Sequence, residues 1–519
     1  MTFKKILFAA VLVAAMAISA SADKPNLVFG VLSDTHIENV PGGSDVLIDA
    51  LQWFDKQKVD AVVFSGDMTD KTMILELECF AKAWHSVFKD GKRSDGEPVA
   101  HMLITGNHDD EGAIYASSKL RDLTPKTIQR LANGKTSADK VRQSISNIVA
   151  KAERAVVENI AKEKAEPVLK MLSAFNESVY KAGTNISQIA ALAPEAATIK
   201  ATADKAFKEA AFVDKFKTEW PRLFGEEYSS FFHKNIKGYD FIGANWDFIG
   251  WIGKAEGIEE YIVSCKLPTD KPFFYIQHPH PRGTCHGDKV WGQDNGSTTS
   301  VLVKYPNAVA FSGHSHSSIH DEKTIWQGEF TSIGCGSLSP SGKSRQGLLV
   351  SVFDKTIEVR RIDFYNHQDL APKWVFPATY AKGDVRPYSF DVRSSQSKPP
   401  AFAENAKVTL QLANPKALNS GKACDITLTF PHANDGNSGG ILANYTIVVE
   451  VEDENGTKAL LTKVTPPNNF FWARSHWGET QTFTLAAKEL PVNKKFQIAV
   501  YPCSAFSKGE AIKTAPITF

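Results

Sequence analysis

Five stretches decide how this chain folds: LVFGVLSDTH (27–36), AVVFSGD (61–67), MLITGNHD (102–109), FFYIQH (273–278) and AVAFSGHSH (308–316). Each begins as a short apolar run with the β-branched and aromatic content of a buried strand. Each ends on Asp, Asn or His. Between the first three lie segments with apolar residues at helical spacing, from Asp45 to Phe54 and from Thr72 to Phe88, so the chain starts as a β-α-β-α-β alternation. In an open α/β sheet, ligand sites gather beyond the carboxyl ends of the strands, and five such endings can converge on one crevice.

Working outward, further buried strands are expected at Tyr239 to Ala244 and Leu348 to Phe353, with a more exposed one from Ile357 to Ile362. The intervening stretch 112–219 is rich in Ala and Lys and has no His, Cys or Trp. Ile145, Ile148, Val149, Ala152, Val156 and Ile160 recur there at helical spacing, which predicts two or three amphipathic helices. They either cap the crevice or decorate the surface; the sequence leaves both open. Residues 376–400, with Pro377, Pro387, Pro399 and Pro400, read as a linker. Beyond it, six short runs between Val408 and Tyr501, separated by turn clusters, predict a β-sandwich. The expected organisation is an α/β domain in two parts (23–111 and 220–375), a helical insertion (112–219), the linker and an all-β domain (401–519). At about 150 residues per domain, 519 residues accommodate this.

The N-terminus has Lys4 and Lys5, an apolar run from Ile6 to Ile18, and Ala20-Ser21-Ala22, the pattern of a cleaved export signal covering 1–22. The run is shorter than the ~20 residues that span a bilayer. The expectation is export to a periplasmic or extracellular space with no membrane anchor left after cleavage. Loss of Lys4 and Lys5 takes the formal charge from +1 to −1. A chain so nearly neutral gives no electrostatic case for binding duplex nucleic acid. The six cysteines contain no C-x-x-C pair, which excludes a zinc-thiolate site. Cys424 and Cys503, in two strand-like runs, are a candidate disulfide.

The strand-end donors are carboxylates, imidazoles and one amide oxygen: Asp34, His36, Asp67, Asn107, His278, His314 and His316. Such an O/N set suits transition metals such as Mn, Fe or Zn. Seven ligands exceed what one tetrahedral ion needs and suit two ions sharing a carboxylate, as in two-metal hydrolases. Singly, each residue is more often a turn, cap or core side chain; the ordered set D-x-H, G-D, G-N-H-D, H, G-H-x-H is what carries weight.

With these blocks in place, the sequence resembles the calcineurin-like metallophosphoesterase superfamily over roughly 25–110 and 225–365. The resemblance implies a layered α/β fold and a phosphoesterase with two divalent or mixed-valence ions. It assigns Asp34, His36, Asp67 and His316 to one ion and Asp67, Asn107, His278 and His314 to the other. A bridging hydroxide would then attack phosphorus in line. It further implies that His108 serves as general acid or phosphate donor and that Asp70 orients it, although Asp109 is an alternative. Two departures bear on substrate. Asp70 stands where purple acid phosphatases have a Tyr ligand, and Lys71 where the protein phosphatase branch has Arg. Neither a tyrosinate-coloured site nor phosphoprotein hydrolysis is expected, and the lack of an Arg cluster favours diesters slightly over monoesters. His280, Arg282 and His286 form a loop after His278 that either touches phosphate or is ordinary polar loop. His101 and His320 read as structural, and Phe470, Phe471, Trp472 and Trp477 as core or interdomain packing. The rival reading is a non-catalytic extracytoplasmic binding protein on the same scaffold.

Overall fold

The computed structural model describes residues 24–250, 253–287, 290–339, 344–381, 383–435, 441–453 and 456–519; the expected signal, 1–22, lies outside them. The first twelve strands are β1 (Leu27–Leu32), β2 (Ala61–Ser65), β3 (Ala100–Ile104), β4 (Phe231–Ile236), β5 (Tyr239–Ala244), β6 (Phe273–Ile276), β7 (Ala308–Ser312), β8 (Ile325–Gln327), β9 (Thr331–Gly334), β10 (Gln346–Val352), β11 (Thr356–Asp363) and β12 (Gln368–Pro377). They form two six-stranded sheets, ordered β12-β11-β10-β1-β2-β3 and β4-β5-β6-β7-β9-β8. At the centre of the first, β1, β2 and β3 run parallel; at the centre of the second, β5, β6, β7 and β9 do. Parallel neighbours need crossover connections, and helices Asp45–Lys56 and Ile74–Val87 supply them between β1, β2 and β3.

The sheets pack face to face on one apolar core. At its centre, Phe29 of β1 meets Phe241, Phe274 and Phe311 of the opposite sheet edge-on, with ring centroids 4.8–5.8 Å apart. Outside the first sheet, Leu47, Leu51, Phe54, Leu77, Phe80 and Trp84 of the crossover helices bury a second core. Helices Ala255–Ser264 and Ser297–Leu302 cover the second sheet. The result is a helix-sheet-sheet-helix layering in which the central strands are buried on both faces, and this is why they read as unbroken apolar runs.

Three strands at sheet edges were not anticipated from sequence, β4, β8 and β12, nor was the four-residue β9 beside β8. β8 and β9 are short, and β12 carries Pro372 and Pro377, residues tolerated at an edge because no ladder hydrogen bond is forfeited. Residues 376–400 are packed. Tyr380 is buried, and the Arg386 guanidinium lies 4.0 Å over its ring and donates to Pro306 O and Glu329 O. Phe390–Gln396 forms a short helix.

Between β3 and β4 the chain forms six helices from Ala113 to Ala210, then Phe216–Phe224. The expectation of two or three falls short. The long helices Ala138–Asn159, Lys162–Lys181 and Ala193–Ala210 carry the legible periodicity, whereas Ala113–Ser118, Pro125–Ala132 and Ile186–Ala191 are too short to show one. Their signals are local: Thr124, Ser137 and Asn185 cap the next helix by accepting from Thr127 N, Lys140 N and Gln188 N. The six helices share a core of their own, and Phe212, Phe216, Trp220 and Phe224 return the chain to the first sheet's outer core.

The C-terminal region is all-β. Strands β13 (Thr409–Leu412), β14 (Ile426–Pro431), β15 (Leu442–Asp453), β16 (Gly456–Thr465), β17 (Thr480–Leu485), β18 (Phe496–Ser504) and β19 (Ile512–Lys513) form two sheets, β13-β14-β17 and β16-β15-β18-β19, around one core. Cys424 and Cys503 are both free thiols, so the candidate disulfide is not formed. Cys424 precedes β14 in one sheet, while Cys503 lies on β18 in the other and contacts Thr446.

Candidate metal centre

At the carboxyl ends of β1, β2, β3, β6 and β7 the chain turns sharply. Asp34, His36, Asp67, His314 and His316 all have left-handed backbones, with φ of 43–69°. Non-glycine residues rarely adopt this region, and each such residue stores of order 1 kcal/mol or more, strain that clusters where side chains must be aimed. Gly66, at φ 94°, makes the approach possible: a Cβ there would sit 2.2 Å from His278 Nδ1.

These turns bring all seven expected donors to one place. Asp34, His36, Asp67 and His316 form one group and Asp67, His278 and His314 a second, each with donor atoms within 4.8 Å of one another. Asn107 joins the second by position, since it lines one cavity of about 250 Å³ with Asp67, His314 and His316. The closest approaches are His36 Nε2 to His316 Nε2 (3.0 Å), His316 Nε2 to Asp34 Oδ1 (3.0 Å) and His278 Nε2 to Asp67 Oδ2 (3.1 Å). Main-chain donors fix the carboxylates: His108 N donates to Asp67 Oδ1 (2.8 Å) and His314 N to Asp34 Oδ2 (3.0 Å). His278 Nδ1 meets Ser65 O at 2.7 Å, which directs Nε2 inward.

Buried polar atoms are normally hydrogen-bonded. Asp34 Oδ1, Asn107 Oδ1 and His278 Nε2 are buried without a hydrogen bond. They are donor atoms of the kinds a transition ion takes, so the residues present fit a metal pair. The electrostatics agree. Burial opposes charge on His36 and His278, but Asp70, Asp67 and Asp34 around the first, and Asp67 and Asp34 around the second, outweigh it and raise both to about 9. Burial likewise opposes ionisation of Asp34, yet His316, His278 and His36 hold it well below the usual carboxylate range. His314 is pushed down to about 3 by burial and by His278.

Residues 27–154 match the family model for calcineurin-like phosphoesterases. Over these residues the chain is similar to calcineurin-like phosphoesterases. No curated relative matches the chain. Solved structures similar to it include a dimetal phosphatase from Danio rerio (10% identity, TM-score 0.34, covering 69% of this chain and 100% of that one) and a purple acid phosphatase from yellow lupin, Lupinus luteus (10% identity, TM-score 0.35, covering 69% and 55%). His278, His314 and His316 lie beyond the matched residues, and it is the pairing of the two sheets that brings them to the domain's cleft.

Around this calcineurin-like centre, several expected roles shift. His108 lines the cavity, but its Nδ1 is held by the main-chain carbonyl of Asp70 at 2.7 Å; the Asp70 carboxylate lies 3.8 Å away. That carboxylate instead stands 3.4 Å from His36 Nδ1 and 2.8 Å from Lys71 Nζ. Asp109, the alternative, accepts from Gly106 N, Met68 N, Thr69 N and Thr69 Oγ1, tying the turn after β2 to the turn after β3. Lys71 is buried among Asp70, Glu38 (2.6 Å) and Glu76 (3.5 Å), committed to carboxylates. His280 is buried and bonded at both ring nitrogens, to Ser312 Oγ and Ser315 Oγ (2.7 Å each), so it supports the His314 turn and does not face the cleft. His286 lies 3.9 Å from Asp321. His101 neighbours Glu226, and His320 is buried beside Phe470 and Trp477.

Three aromatic residues at the calcineurin-like centre escaped sequence reading. Trp246 packs on His278 and His314, Trp291 stacks on His314 (4.4 Å, 28°), and Tyr115 stacks on His108 (4.5 Å, 24°). Trp291 and Tyr115 lie in a loop and a short helix away from any strand end, and Trp246, though it follows β5 between Asn245 and Asp247, belongs to a strand that contributes no donor, so the strand-end pattern marks none of them. Tyr115 is also where the helical insertion reaches the site: among described residues, none from 112–219 lines the cavity.

Proposed function

We propose that the chain is a metal-dependent phosphoric ester hydrolase with two transition-metal ions side by side in this cleft, one held by Asp34, His36, Asp67 and His316, the other by Asp67, Asn107, His278 and His314. The observation that carries the reading is one buried carboxylate, Asp67, belonging to both donor groups. Ions bound there would supply Lewis acidity toward the phosphoryl oxygens and an acidified water as nucleophile. The chain's own residues do the positioning. Asp67 Oδ1 is fixed by His108 N, leaving Oδ2 for His36 and His278. With Nδ1 of His108 held on a carbonyl, Nε2 is the atom left to pass a proton to the departing oxygen.

Diesters are favoured over monoesters because the described lining residues include no Lys or Arg to grip a dianionic phosphate. Hydrolysis of bis(p-nitrophenyl) phosphate beside p-nitrophenyl phosphate, after loading with Mn, Fe or Zn, tests both statements. The expected result is faster diester cleavage that falls at least about a hundredfold in Asp67→Asn. Absence of turnover on every ester in every metal form would overturn it.

The same reading places the enzyme outside the cytoplasm, supported by Lys4, Lys5, the apolar run and Ala20-Ser21-Ala22. Among described residues no helix is long and apolar enough to cross a membrane. N-terminal sequencing of the exported protein should begin at Asp23; an intact Met1 terminus in that fraction would sink the assignment.

A further inference from the structure

Resting on the phosphoesterase reading, we propose that Trp291 is a stacking platform beside the metal cleft and that the preferred ester carries a planar aromatic ring on its leaving group. Trp291 is 65% exposed, although tryptophan is a residue that folding usually hides. One face of its indole lies on His314 and the side chain lines the cavity, so the exposed remainder borders the place where the ester binds. The residue is not on a loose tip. His280 N donates to Gly292 O (2.8 Å) and Asp294 N to His280 O (2.8 Å), pinning the Trp291 loop to the segment that leaves β6. Gly292, at φ 89°, lets that loop close down: a Cβ there would stand 2.9 Å from His314 Cδ2.

A second ring stands behind the proton donor, outside the cavity lining. Tyr115, 40% exposed, stacks on His108, the residue assigned to the departing oxygen, and its neighbour Ile114 is 70% exposed. The cleft therefore has an indole at its His314 side and a phenol on the proton donor. Packing of the core requires neither to be in water. A ring attached to the leaving alcohol would stack on Trp291, and stacking on aromatic side chains is worth ~1–3 kcal/mol per base in single-stranded nucleic-acid sites, or about 5- to 150-fold in affinity.

The test compares esters whose leaving alcohols match in reactivity and differ in the ring. Adenosine 5′-phosphate against ribose 5-phosphate probes a nucleobase, and benzyl phosphate against cyclohexylmethyl phosphate probes a simple aryl group, each as monoester and as methyl diester. On the metal-loaded full chain, the ring-bearing member of at least one pair should have a KM about 5- to 150-fold lower. Trp291→Ala should bring that ratio close to one, and Trp291→Phe should restore part of it. Adenosine 5′-phosphate should also quench tryptophan fluorescence in the parent protein more than in Trp291→Phe. Ratios within twofold in both pairs, or equal losses on both members in Trp291→Ala, overturn the stacking role while the hydrolase reading stands. Should no ester turn over, that reading falls, and the quench decides the platform: its presence only with Trp291 supports it, and its absence overturns it.

Discussion

Asp70 shows how one residue divides its groups between two neighbours. Its carbonyl holds His108 and its carboxylate faces His36, a candidate ligand. Partners of metal ligands fix ring orientation, and their loss typically lowers metal affinity by roughly 10–100-fold. Asp70→Ala should weaken metal binding by about that factor, while the dependence of rate on leaving-group acidity stays that of the parent, because the main-chain bond to His108 survives. Calorimetric metal titration and a series of aryl esters would read the two effects separately. Unchanged affinity with a steeper leaving-group dependence would return the carboxylate to His108.

Strands and helices place this site by ending where they do. Each of these strands stays extended through its apolar run and then turns at its donor residue, left-handed after β1, β2 and β7, so five elements deliver their polar ends to one edge of two stacked sheets. What holds the sheets in register is aromatic packing about Phe29, fully buried between them. Phe29→Ala should cost about 3–5 kcal/mol, the range for a large core ring replaced by a cavity, in urea unfolding. A loss under about 1 kcal/mol would mean that the core collapses around the gap. The helical insertion behaves differently: its own core makes it a separate layer, joined to the site at Tyr115.

Over the whole molecule, the loop between β16 and β17 joins the all-β region to the calcineurin-like domain. Gln346 Nε2 donates to Phe471 O (2.7 Å), Ala473 N donates to Asp363 Oδ2 (2.8 Å), and Trp472 stacks on Tyr365. Beneath it, His320 is buried against Phe470 and Trp477. Burial, with Arg361 and Arg474 close by and Asp321 opposing them, pushes it down to about 3. An unfolded chain protonates this ring near its ordinary value of 6.5, the folded one only near 3. The stabilisation is therefore complete above about pH 6.5 and is lost as pH falls toward 3. His432, also depressed, to about 4, by burial and Arg474, adds to the same acid limb. Thermal unfolding between about pH 7 and 4 should show a shallower fall in Tm for His320→Leu than for the parent, and parallel curves would refute the assignment.

The donor set was legible without coordinates because strand-end motifs are local: an apolar run, a turn and a metal-capable side chain fall within about ten residues, and their order along the chain is itself the signal. The central strands other than β9, and the two crossover helices, were legible because burial on one or both faces writes its period directly into sequence. Edge strand β12, with its prolines, and the short capped helices lacked such a period. Only the tertiary structure decided that the Asp70 carboxylate serves His36, that His280 is bound by two serines, and that Trp291 borders the cleft while Tyr115 stacks on His108. Those are contacts between residues tens to hundreds of positions apart, fixed by how two sheets and their loops pack, and no local pattern encodes them.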